Sequence, residues 1–186
     1  MSLRTRTAAT LDDLARIDGK AELIAGRIVR FMPTGHLPSQ IAGEIFASLR
    51  EHVRSTGRGI AYTDNAGFAV PELASGRQSF SPDAAYLASS PPANQMGFIH
   101  DPPTFAVEVR SEGDYGPAAE AAMTAKRADY FEAGTLAVWD VDPIAEIIRC
   151  YRATAPDQAD EFHRGDVADA EPAVPGWRAA VDELFG

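Results

Sequence analysis

The sequence has one cysteine, two lysines and no long apolar run. Cys150 alone cannot form an internal disulfide, so the fold has to close by packing, and a reducing, cytoplasmic setting suits it. It lies in "EIIRCYRA", a predicted strand, and reads as an inert structural residue. No stretch approaches the roughly 18 apolar residues of a membrane span, so no membrane partner is expected. The opening "MSLRTRTAATLDDLARIDG" lacks the apolar core of a secretory signal. Positive charge is also scarce: 17 Lys and Arg stand against 27 Asp and Glu, for a net charge of −10. That argues against a protein that coats nucleic acid through bulk attraction.

What is present suits one domain over residues 1–186, large enough to bury a core. The hydrophobic fraction of 45% and charged fraction of 24% are ordinary for a globular chain. There is no internal repeat and no linker long enough to divide the sequence. The charge is uneven. Residues 1–60 carry nine basic and six acidic side chains, residues 61–153 six and thirteen, and residues 154–186 two and eight. Any polyanion would therefore be expected at the N-terminal third. Acidic clusters elsewhere can hold a cation or simply solvate the surface. The basic residues are fifteen arginines and only two lysines, Lys20 and Lys126.

Thr10, with Asp13 three residues on, predicts a short capped helix over "LDDLARI". "AELIAGRIVRFMP" predicts a tight hairpin around Gly26. Ile41, Ile45, Leu49 and Val53 recur every four residues and predict an amphipathic helix ending near Ser55, before Gly57. Arg50, Arg54 and Arg58 near its end read either as cations complementing the helix terminus or as a phosphate-binding row. Residues 60–88 predict strands, and 90–103 a Pro/Asn/Gly-rich connection. "TFAVEVRS" predicts a strand, and "PAAEAAMTAKRADYFEAG" a helix from Pro117 to Gly134. "TLAVWDVDP" and "EIIRCYRA" predict a strand pair around Pro143. The rest is loosely patterned up to a short helix over "WRAAVDELF". This order predicts an α/β or α+β domain with a central mixed sheet flanked by helices.

In "TFAVEVRS", Phe105, Val107 and Val109 face one way, and Ala106, Glu108 and Arg110 the other. A buried carboxylate at Glu108 needs a cation: Arg110, another side chain or a metal. Asp83, which opens the apolar run "DAAYLA", offers a second set of oxygens. Two converging carboxylates repel unless a hard divalent ion such as Mg²⁺ or Mn²⁺ neutralises them, and that ion can activate water against a phosphodiester. Lys126 shares a helical stripe with Met123 and Tyr130 and is the candidate cation beside such a site; the alternative is a lysine snorkelling past apolar neighbours. For Asp83 the alternative is a turn or strand cap. For Glu108 it is a structural ion pair with Arg110.

The blocks "SPDAAYLASS", "PPTFAVEVRSEGD" and "KRADYFEAGTLAVWDVDP" resemble, in order, those of the Uma-type family described as "putative restriction endonucleases", within the PD-(D/E)xK nuclease superfamily. "AELIAGRIVRFMPTGH" resembles the family's opening hairpin and the His before its first long helix, and "VPGWRAAVDELF" its closing segment. The resemblance implies a restriction-endonuclease-like fold: a central mixed β-sheet flanked by helices, with an N-terminal β-hairpin. It implies Mg²⁺-dependent hydrolysis of DNA, often by homodimers. Asp83 and Glu108 match the two acids, and Lys126 the lysine supplied by the following helix. Glu22 matches a further acid of the hairpin, as a residue near the metal or one serving the fold. His36 matches the histidine, as a catalytic residue or a helix-start residue. The chain departs from the pattern with "IAGRI" in the hairpin, Arg110 at the sheet position of the lysine, and Glu112 where proline is usual. A competing reading is an endonuclease-like module that binds DNA or protein without cutting; Glu108 locked to Arg110 would fit it. A third is a homo-oligomer in which Arg50, Arg54 and Arg58 meet acidic surface on another copy.

Overall fold

The computed structural model describes residues 8–186. Thr10 caps α1 (Leu11–Leu14), and Thr10 and Asp13 bond to each other's backbone as a capping box. A hairpin follows, β1 (Ala21–Ile24) and β2 (Arg27–Arg30). Its two-residue turn places both Ala25 and Gly26 at positive φ, as the twist of paired strands demands. The long helix α2 (His36–Thr56) ends at Gly57 in the left-handed conformation. It begins earlier than the apolar repeat suggested, because Pro38 sits in the first turn, where its missing N–H costs nothing.

The central sheet has six strands in the order β10–β9–β8–β7–β6–β3. They are β3 (Ile60–Thr63), β6 (Ala84–Leu87), β7 (Phe105–Val109), β8 (Ala137–Asp142), β9 (Ile147–Arg152) and β10 (Ala155–Phe162). Only β7 and β8 pair in parallel; α3 (Pro117–Ala133) makes the crossover between them. The residues around Asp64 and Asn65 turn the chain, so the stretch after α2 divides into β3 and β4 (Phe68–Ala69), which pairs with β5 (Ser79–Phe80). The fold is thus a mixed sheet flanked by helices, with an N-terminal hairpin.

The alternation in β7 governs the two layers. Phe105, Val107 and Val109 join Trp139, Val141, Ile148 and Cys150 beneath Ile41, Ile45 and Leu49 of α2. The other face carries small side chains, Ala85, Ala106 and Val138, which leave room for Phe68, Phe80 and Tyr130. Phe80 and Tyr130 stack with centroids 4.1 Å apart. Arg50, Arg54 and Arg58 are exposed.

The C-terminal segment differs from expectation. Residues taken as loosely patterned form β10 and the pair β11 (Val167–Asp169) and β12 (Arg178–Ala180). β10 is an edge strand that buries little, so its sequence carries no apolar period. The closing helix α4 is confined to Val181–Phe185, because Arg178–Ala180 pair with β11. Trp177 packs 4.9 Å from Trp139 and 5.6 Å from Phe105, and its indole N–H donates to Ser48 of α2. Trp177→Ala is expected to cost about 3–5 kcal/mol of unfolding free energy, read from urea titrations.

Candidate active site

The site begins with the hairpin. β1 lies against the loop that leads into β5: Ala25 N–H donates to Gly76 O, and Gln78 N–H to Leu23 O. Gly76 has φ +81, and a Cβ there would stand 2.9 Å from the Ala25 Cα, so only glycine permits this approach. The docking drives Glu22 fully inside the protein. Its carboxylate meets the Arg77 guanidinium and Lys126 Nζ, the latter at 3.1 Å, and accepts the Ser81 N–H at 3.0 Å. Arg77 is held from behind by Asp129 of α3, at 2.8 Å. Burial pushes the Glu22 carboxyl up, but Lys126, Arg77 and Ser81 outweigh it and hold it below its ordinary value.

The two acids come from neighbouring strands. β6 and β7 run antiparallel, and their ladder ends with Ala84 opposite Val107. Asp83, just before β6, steps out of that register: its N–H donates to Val107 O at 2.9 Å, and its carboxylate Oδ2 accepts the Val109 N–H at 2.7 Å. That places the Asp83 carboxylate beside Glu108, and both line one pocket. The Asp83 carboxylate therefore caps the ladder and faces the pocket at once.

Lys126 Nζ lies 2.7 Å from Glu108 Oε1, so it bridges Glu22 and Glu108. The Tyr130 hydroxyl, one turn along α3, donates to the same Glu108 oxygen at 2.6 Å. Burial raises the Glu108 pKa; Lys126 opposes that, while Asp83 and Glu22 reinforce it, and the net shift is upward. Burial would lower the Lys126 pKa, but Glu108 and Glu22 outweigh it, so the ammonium keeps its proton more tightly than a free lysine. The second lysine is here too. Lys20 Nζ is 2.5 Å from Asp83 Oδ1 and 2.8 Å from Asp64 Oδ1.

Arg110 does not pair with Glu108. Its guanidinium forks onto Asp140 of β8 with two bonds of 2.7 Å and reaches Glu120 of α3. The parallel register brings Asp140 beside Glu108 on the same face, within Arg110's reach. His36 is exposed at the start of α2 and does not line the pocket. The structure thus gathers Glu22, Asp83, Glu108, Lys126 and Arg110 around one pocket of about 640 Å³ and leaves His36 outside it. Unmarked by the sequence are Asp64, in a turn, Arg77, in the segment bridged to Ile24, and Asp140 of β8. Lys20 was marked only by the rarity of lysine. Phe31, Met32 and Pro33, following β2, form an apolar lip.

The donors between β6 and β7 are hard carboxylate oxygens with partial solvent access; the Asp83 and Glu108 side chains are 19% and 21% exposed. Among the described residues no three His, Cys, Asp or Glu side chains form a metal cage. Two carboxylates with room for water match Mg²⁺ or Mn²⁺ rather than a structural zinc site. The residues present fit a hard divalent ion.

Glu22 gives a stability prediction. A carboxyl whose folded pKa is depressed stabilises the fold above its ordinary value of 4.5, and that contribution disappears as pH falls through the lower, folded value. Glu22→Gln should lower the urea midpoint at pH 7 and flatten its decline between neutral and acid pH. With Arg77 and Lys126 left short of a buried partner, the loss at neutral pH is expected to be about 3–5 kcal/mol.

No helix is long and apolar enough to cross a membrane among the described residues. Curated proteins offer no match to the chain. A solved structure described as "a putative nuclease belonging to DUF820 from Anabaena variabilis" superposes with a TM-score of 0.73 at 20% identity, over 95% of this chain and 97% of that one. At that identity the likeness is one of fold. The family model for Uma2, "putative restriction endonuclease", matches residues 8–182, nearly the whole sequence and every element of the site. This chain belongs to the Uma2 family.

Proposed function

We propose that the protein is an endonuclease that hydrolyses DNA phosphodiester bonds with a divalent metal ion. The observation that carries this reading is that Asp83 and Glu108, from the adjoining ends of β6 and β7, line one pocket with a protonated lysine against each acid. Asp83 and Glu108 would hold Mg²⁺ or Mn²⁺. The bound ion would supply charge neutralisation at the phosphate and a water of lowered pKa.

The chain's own residues do the rest. Lys126 keeps its proton, so it acts as a fixed positive charge for the pentavalent phosphate and not as a base. Glu22 positions that charge, and Arg77 positions Glu22. Tyr130 fixes the Glu108 carboxylate through the same oxygen that Lys126 contacts. Arg110 is committed to Asp140 and Glu120 and takes no part in proton transfer. Membership in the Uma2 family supports DNA as the substrate class.

One observation favours a second reading. Both acids already carry an ammonium partner, as they would in a module that binds nucleic acid without cutting it.

Incubation of the purified chain with supercoiled plasmid and Mg²⁺ or Mn²⁺ separates the two. Nicking is expected, with Asp83→Ala lowering the rate at least a hundredfold. Binding without nicking would establish the second reading. An Asp83→Ala protein as active as the wild type would overturn the assignment of the acids.

Ion binding also carries a pH signature. Glu108 must be ionised to bind, and its pKa is raised by burial and by Asp83 and Glu22. Mn²⁺ affinity measured by calorimetry is expected to fall as pH drops, starting above the ordinary glutamate value of 4.5. Glu108→Gln should weaken Mn²⁺ binding and remove that pH limb.

A further inference from the structure

Lys126 has a place in this scheme; Lys20 does not. It precedes β1, and its side chain enters the pocket from the hairpin, 19% exposed. The two Asp83 oxygens are differently engaged. Oδ2 accepts the Val109 N–H, while Oδ1 is taken by the Lys20 ammonium at 2.5 Å. A divalent ion held by Asp83 and Glu108 would therefore meet a cation already in position. Lys20 also has a second partner in reach. Asp64 Oδ1 is 2.8 Å from the same ammonium, in a side chain 47% exposed and steadied by the Asn65 N–H at 2.7 Å.

We infer that Lys20 is a built-in substitute for the metal ion: it neutralises Asp83 in the metal-free protein and withdraws to Asp64 when the divalent ion enters. This rests on the proposed metal-dependent reading. The physical reason is electrostatic. Glu22, Asp83 and Glu108 face one pocket, and without cations their repulsion would spread the strands' ends or protonate a carboxyl. Lys126 serves Glu22 and Glu108 and does not contact Asp83, so Asp83 needs a cation of its own. A tethered ammonium holds the acid in place and is replaceable, because it loses only one of two carboxylate partners on leaving. Asp64 keeps the charge inside the pocket, where it remains available to a substrate phosphate. Lys20 and Asp64 are thus positioning residues that set how readily the ion binds.

Calorimetric Mn²⁺ titration of the full chain, without DNA, tests this. Removing a charge-assisted hydrogen bond that competes with the ion should tighten binding. Lys20→Met is expected to raise Mn²⁺ affinity about ten- to a hundredfold. Lys20→Gln, which keeps a donor without the charge, should tighten it in the same direction. Asp64→Asn, which removes the retreat, should weaken it. The double variant Lys20→Met/Asp64→Asn should bind like Lys20→Met, because Asp64 acts through Lys20. A pair with a merely structural role would weaken binding in every variant. Wild-type binding with no tightening in either Lys20 variant overturns this inference and leaves the metal-dependent reading intact. Absence of Mn²⁺ binding in the wild type and in both Lys20 variants overturns the two together.

Discussion

A fully enclosed carboxylate governs the arrangement of this protein. Glu22 has no solvent to stabilise its charge, so its partners must come from the chain. They come from three directions: Arg77 from the loop before β5, Lys126 from α3, and the Ser81 backbone at the approach to β6. Each partner has a further commitment, Arg77 to Asp129 and Lys126 to Glu108. The hairpin, the loop, the crossover helix and the central strand are joined through alternating charge. The hydrophobic layers bring these elements to the same side of the sheet; the ion pairs set their relative positions.

That alternation reconciles a net charge of −10 with the phosphate-directed role proposed for the site. The pocket does not rely on a broad positive field. Its ammonium and guanidinium groups are placed one by one against carboxylates and held there by buried geometry, where screening by salt is weak. On the proposed reading, the cost of this economy is that substrate attraction must be local and short-ranged.

Much of the scaffold is legible in the sequence because it follows short-range rules. The alternation of Phe105, Val107 and Val109 reports two buried faces, and Pro117 and Gly134 mark the limits of α3. Glu108 stands out as the charge that breaks an apolar strand. Asp83 beside Glu108 is a different matter. The apolar runs they interrupt suggest two converging carboxylates and the family resemblance matches both, but no periodicity fixes how the ends of β6 and β7 bring them together. The partner of Glu22 lies still further along the chain, in a Gly/Ser/Arg turn with no pattern to mark it. Arg110 was a plausible partner for Glu108 while the strand was considered alone; the neighbouring strand supplies Asp140, which local sequence cannot show. β10 was illegible for the opposite reason, since an edge strand that buries little has no apolar rhythm.

The scarcity of lysine acquires a chemical meaning once both ammonium groups are seen to share one pocket. In most proteins an amine-directed acylating reagent scatters over many surface sites. In this sequence it meets, apart from the terminal amine, only Lys20 and Lys126. Both are held as ammonium ions against carboxylates, so a reagent that needs a neutral amine would modify these side chains slowly at neutral pH, and any label that did attach to a lysine would report on the pocket.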